Sequence, residues 1–173
     1  MMDNRQKSQG MYRPQFEHDN CGIGFVAHIH GKKSHSIIQK GLEVLENMTH
    51  RGAEGADSRT GDGAGVLIQV PRDFYLIQGY ELPPAGQFGT GLLFLPQIKS
   101  EADKCLELLV SLLVKEEISI IGFRDVPTDN STLGEISKST EPVIKQILLG
   151  SDVEQDVLER KLYLVRKKIE GIV

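Results

Sequence analysis

CGIGFVAHIHG, residues 21–31, is the stretch that decides how this chain is read. Its odd positions, Cys21, Ile23, Phe25, Ala27 and Ile29, suit a buried face, and its even ones are Gly22, Gly24, Val26, His28 and His30. Alternation of period two predicts a β-strand, with the Cys21 thiol on the apolar side. A polar leader precedes it, MMDNRQKSQGMYRPQFEHDN. A thiol attacks a carbonyl carbon well only when a base removes its proton. A free α-amino group, with an ordinary pKa of about 7.7–8.0, can be that base. Cys21 as the first residue of a mature chain would therefore carry nucleophile and base together. Cleavage after Asn20, with residues 1–20 as a discarded leader, is the expectation that follows.

The rest of the 173-residue chain reads as one α/β layered domain spanning 21–173. Ser36 and Gln39 form a capping-box pattern ahead of a helix expected over 37–49, whose apolar positions are Ile37, Ile38, Leu42, Leu45 and Met48. HRGAEGADSRTGDGAG, residues 50–65, holds five glycines in sixteen positions and is expected to be a loop. VLIQV (66–70) is expected to be a buried strand, RDFYLIQ a helical turn or two, and ELPPAG a turn. FGTGLLFLP and SIIGFRDVP read as strands. A helix capped by Ser100 should lie between them, buried through Cys105, Leu106, Leu109, Leu112 and Leu113. Residues 128–141 are expected to form a loop. PVIKQILLG fits strand or helix. The C-terminal segment is an amphipathic helix with Leu158, Leu162, Val165 and Ile169 inward. Its Arg160, Lys161, Arg166, Lys167 and Lys168 should form a solvated face.

Composition narrows the function. Net charge is −4 with Lys and Arg scattered, which gives no footprint for nucleic acid. The leader lacks a secretory apolar run, no stretch reaches the length of a membrane span, and two cysteines make no disulfide framework. A cytoplasmic protein is expected. His28 and His30, two apart, lack a third ligand at a supporting spacing, so no metal is expected. His18 and His35 should be solvated, and Cys105 should be a core residue. TGDGAG lacks the Lys-Ser/Thr of a phosphate loop and precedes a strand.

CGIGFVAHIHG, then a helix, then MTHRGAEGAD and TGDGAGVLIQVP, resembles the N-terminal amidotransferase domain of the glutamate synthase large subunit. That domain is a class II glutamine amidotransferase of the N-terminal-nucleophile hydrolase type. The resemblance runs from about Asp19 to the end and implies a four-layer αββα sandwich, here in part. Cys21 matches the nucleophile freed by removal of residues 1–20, and Arg51 matches the arginine of the HRG motif beside it. A guanidinium there would favour the thiolate. Gly52, Asp62 and Gly63 match the substrate-site loop, Asp62 in a structural or a functional role. The implied substrate is L-glutamine, hydrolysed to ammonia and glutamate; the ammonia would serve glutamate synthesis from 2-oxoglutarate. FMN and an iron–sulfur cluster are implied for the full-length enzyme, none for this chain. Its remaining domains and a small subunit are the implied partners.

The family takes its oxyanion hole from an Asn-Gly pair and grips the glutamine α-carboxylate through an R-F-S-T-type motif. Neither occurs here. Removing one oxyanion donor typically slows such a reaction ~10²–10³-fold. The chain is therefore expected to be a truncated piece, inactive alone. The alternatives are a non-catalytic fragment or interaction module, and an N-terminal-nucleophile hydrolase acting on another amide.

Overall fold

The computed structural model describes residues 22–48, 61 and 63–173. Among them lie five helices, α1 (His35–Asn47), α2 (Arg72–Ile77), α3 (Lys99–Lys115), α4 (Glu135–Thr140) and α5 (Gln155–Glu170). The strands are β1 (Phe88–Leu95), β2 (Ser119–Asp125) and β3 (Val143–Gly150). The chain is mixed α/β, with one antiparallel sheet of order β1-β3-β2. Two compact units divide it, 1–68 with 131–138, and 69–130 with 139–173.

The second unit is built on β3. It pairs with β1 from Phe88↔Gly150 to Leu95↔Val143, and with β2 from Ser119↔Gly150 to Asp125↔Lys145. Pairing on both edges settles PVIKQILLG as a strand. Its alternate residues are buried on both faces: Ile147 and Leu149 at 3% and 6% exposure on one side, Leu148 at 0% on the other. Such a doubly covered strand loses its sequence alternation, which is why its pattern also fits a helix.

α3 and α5 cover the Ile147/Leu149 face. Leu109, Leu112 and Leu113 of α3 join Leu158 and Val165 of α5 around those two strand residues. The inward face expected of the last helix is observed, with Leu162 and Ile169 packed at its margin. α5 crosses β1 closely: a Cβ on Gly89 would lie 2.7 Å from Leu162 Cδ1. The opposite sheet face is covered by α2 and the turn after it. There a Cβ on Gly122 would sit 2.9 Å from the Tyr80 ring, so glycine lets that ring lie on β2. The Arg72 guanidinium ties down the turn, donating from Nη2 to the Leu82 carbonyl at 3.2 Å and from Nη1 to the Pro83 carbonyl. It also lies 5.4 Å from the Phe88 ring centroid, in cation–π range.

Several expectations are corrected. Residues 22–28 form no strand, and the odd apolar set is open: Ile23, Phe25 and Ile29 are 95%, 93% and 96% exposed. VLIQV forms no strand either, with Leu67 100% exposed. Alternation marks a segment able to enter a sheet, but a strand exists only with a neighbour to take its backbone hydrogen bonds. Among the described residues neither segment has one. α1 is capped two residues earlier than the capping-box pattern indicates, by Ser34, whose Oγ accepts from the Ser36 backbone N–H at 3.1 Å. α3 begins after Ile98 without a side-chain cap, leaving Ser100 inside the helix. The loop expected over 128–141 contains α4.

α3 ends in a tight reversal. Ile118 N–H donates to the Leu113 carbonyl at 3.0 Å and Glu117 N–H to Val114 at 3.1 Å, the paired bonds of a Schellman turn. The residue that must turn left-handed is Glu117, with φ 58°, where glycine is usual. The turn aims Ile118, 3% exposed, into the core. The basic residues of α5 lie at the surface, mostly in ion pairs. Lys161 Nζ donates to the Glu116 carbonyl at 2.7 Å, and Arg166 and Lys167 both reach Glu170. The hydrogen bond and charge of Lys168 hold the Glu116 carboxyl below the usual carboxylate range. Exposed pairs of this kind contribute little to stability.

Replacing the left-handed residue tests this account of the turn. Glu117→Gly is expected to stabilise the protein by about 1 kcal/mol in urea unfolding, since relief of backbone strain outweighs loss of the exposed Lys161 contact. A decrease in stability would show that the side chain matters more than the dihedral.

Candidate functional site

Four residues assigned to the site from sequence, Cys21, Arg51, Gly52 and Asp62, lie outside the described residues, as does most of the loop expected over 50–65, of which 61 and 63–65 are described. The described surroundings begin at Gly22. From there the chain runs without regular secondary structure to a turn at residues 29–30, where Gly31 N–H donates to the His28 carbonyl at 2.8 Å. Gly31 takes φ +64°, a conformation that favours glycine. A Cβ on Gly24 would fall 2.5 Å from Val44 Cγ1, so only glycine lets the segment after Cys21 pass this close to α1. The half-buried side of α1 consists of Ile37, Ile38, Gly41, Val44, Leu45 and Met48.

Gly63, the described member of the glycine-rich loop, has φ +88°. Among the described residues beyond its chain neighbours, no heavy atom lies within 4 Å of where its Cβ would be, and its backbone conformation is one that favours glycine. His28 and His30 do approach each other, with ring centroids 5.8 Å apart, and His30 N–H donates to His28 Nδ1 at 3.1 Å. No group of three or more His, Cys, Asp and Glu placed to hold a metal occurs among the described residues. Cys105 is half-buried on α3, at the wall of an apolar groove.

One polar constellation was not anticipated from sequence. On the sheet face away from α3 and α5, Arg124 Nη1 donates to Gln146 Oε1 at 3.3 Å, and Gln146 Nε2 donates to the Tyr75 hydroxyl at 2.8 Å. Tyr75 is 3% exposed, and the Arg124 guanidinium stacks 5.2 Å from the Phe74 centroid. Each side chain has a partner within the group, and the arrangement fastens α2 to the sheet. A glutamine within VIKQILLG and an arginine within SIIGFRD were the available signals. Polar side chains inside apolar strands imply a partner across the sheet.

The chain belongs to the class-II glutamine amidotransferases: the model of that family matches residues 21–173, starting at Cys21. Its relatives include the glutamate synthase [NADPH] large chain of Bacillus subtilis, 39% identical over 170 residues, covering 95% of this chain and 11% of that protein. The glutamate synthase [NADPH] large chain of Azospirillum brasilense is 37% identical over 94% of this chain and 11% of its own length. A ferredoxin-dependent glutamate synthase from Antithamnion sp. is 38% identical over 91% of this chain and 11% of its own length. The chain thus spans about a ninth of these relatives. No helix among the described residues is long and apolar enough to cross a membrane.

The Tyr75–Gln146 bond gives a direct test of the fastening role. Tyr75→Phe is expected to cost about 1–2 kcal/mol in chemical unfolding, because Gln146 Nε2 loses its acceptor in a part-buried setting. An unchanged midpoint would assign the attachment of α2 to apolar contact alone.

Proposed function

We propose that this chain is the glutamine-hydrolysing part of a glutamate synthase. The observation that carries the reading is that the amidotransferase family match begins at Cys21, the cysteine singled out by its chemistry, and continues to residue 173. Relatives 37–39% identical that are named glutamate synthases support the choice of enzyme. On this reading residues 1–20 are a leader, and residues 21–173 belong to a four-layer αββα N-terminal-nucleophile domain.

The chemistry follows from a single residue. Once the bond between Asn20 and Cys21 is cut, the neutral α-amine of Cys21 takes the proton of its own thiol. The thiolate then attacks the side-chain carboxamide carbon of L-glutamine, and the carbonyl oxygen gathers negative charge. Collapse of that intermediate breaks the C–N bond, and the α-ammonium returns the proton so that nitrogen leaves as ammonia. Water, deprotonated by the same amine, hydrolyses the γ-glutamyl thioester to glutamate and restores the thiol. Arg51 holds the thiolate form by its charge. Gly52 and Gly63 let the backbone approach the substrate, and Asp62 orders the loop between them.

The ammonia is consumed elsewhere in the synthase, where 2-oxoglutarate becomes glutamate in domains that hold FMN and an iron–sulfur cluster. Those domains, a small subunit and L-glutamine are the partners; nucleic acid and membrane are not. The location is cytoplasmic. Without the Asn-Gly donor and the carboxylate-binding arginine, residues 21–173 alone should turn over glutamine at close to background rate.

Two cysteine substitutions test the assignment. Glutamate release from L-glutamine is measured with the segments that supply the oxyanion donors and the α-carboxylate clamp present. Cys21→Ala is expected to reduce it to background and Cys105→Ala to leave it intact. The reverse pattern would overturn the site assignment.

A further inference from the structure

We propose that Gly24 is a positioning residue for glutamine hydrolysis, seating the segment that follows Cys21 against Val44 of α1, the helix that leads to Arg51. The proposal rests on the reading of Cys21 as nucleophile and Arg51 as its charge partner, and adds the contact that sets one against the other. Cys21 is three residues before Gly24, and Arg51 is three residues after Met48, the C-cap of α1. The Gly24–Val44 contact therefore joins the described stretch nearest the nucleophile to the helix end nearest the arginine.

α1 is a firm support at that point. Ser34 caps its start, and at its end Met48 N–H donates to the Val44 and Leu45 carbonyls at 3.1 Å. Val44 lies in the closing turn and is half-buried. The side chains on either side of Gly24, Ile23 and Phe25, are open to solvent, so the segment meets α1 through the Gly24 backbone.

A side chain at residue 24 would break that seat. Its Cβ would lie 2.5 Å from Val44 Cγ1, whereas two carbons in contact need about 3.5–4.0 Å. A β-branched residue on a helix has one strongly preferred χ1 rotamer, so the methyl cannot swing aside cheaply. The backbone must instead take up a shift of about 1 Å, and a misplacement of that size can slow a reaction about a hundredfold. Val44 Cβ would be 3.8 Å away, in ordinary contact, so the obstruction is the γ-methyl. The α-carboxylate clamp belongs to a motif outside this chain. Moving Cys21 should therefore alter the chemical step and not the capture of glutamine.

Glutamine turnover by the synthase, with the oxyanion and α-carboxylate motifs present, tests the proposal. The folded fraction is measured by circular dichroism, so that rates are counted per folded molecule. Gly24→Ala is expected to lower kcat about tenfold to a hundredfold and to leave KM within about twofold. Adding Val44→Ala should restore kcat to within about threefold of the unmodified enzyme. Gly41→Ala on the same helix should leave kcat unchanged, because beyond its chain neighbours and helix backbone no described heavy atom lies within 4 Å of the new Cβ. Should Gly24→Ala fail to fold, the double variant decides: recovery of folding and turnover supports the contact, and failure to recover either overturns it. An unchanged kcat in Gly24→Ala, an equal loss in Gly41→Ala, or no rescue by Val44→Ala would each overturn the positioning role. Cys21→Ala, measured alongside, separates the two readings. Activity lost there with Gly24→Ala at full rate overturns the positioning role alone, and activity kept there overturns the nucleophile and the positioning role together.

Discussion

The described part of residues 69–173 depends on one strand. β3 is the only one of the three paired on both sides, and it is buried on both faces through Ile147, Leu148 and Leu149. Remove its register and β1 and β2 have no common neighbour, α3 and α5 lose the surface they share, and the Arg124–Gln146–Tyr75 relay loses its middle member. Satisfaction of backbone polar groups and burial of apolar area act at the same eight residues, which is why the helices arrange themselves around this strand.

Much of this was legible in the chain. The helices at α1, α3 and α5 follow from apolar residues at helical spacing, and β1 and β2 from short apolar runs ended by Pro96 and Pro127. What could not be read were facts that depend on a neighbour distant in sequence. GIGFVAHI and VLIQV have strand composition, yet no described strand pairs with them, and their apolar residues are open to solvent. β3 was ambiguous for the opposite reason, having neighbours on every side. The caps failed on a local matter: Ser34, Ser36 and Ser100 are equally good capping residues, and the path of the chain into the helix chose among them. At the candidate site Gly63 is in the left-handed region that its glycine-rich setting suits, while Cys21, Arg51, Gly52 and Asp62 rest on sequence and family.

The proposed chemistry imposes an economy on the sequence. When nucleophile and base belong to one residue, no histidine or carboxylate has to be held at a fixed distance from the thiol, and the chain before that residue must be removable. Residues 1–20, the proposed leader, are polar, and the family match starts at the residue that follows them. Charge stabilisation of the oxyanion and capture of the α-carboxylate are separate tasks, which the family assigns to motifs this chain does not contain.

The intact mass and N-terminal residue of the protein, purified from the cells that make it, test the central claim most directly. The account requires a chain that begins at Cys21 with a free α-amine. A protein that hydrolyses glutamine while still carrying residues 1–20 would contradict it, because the amine would be locked in a peptide bond and the proton transfers would need another base.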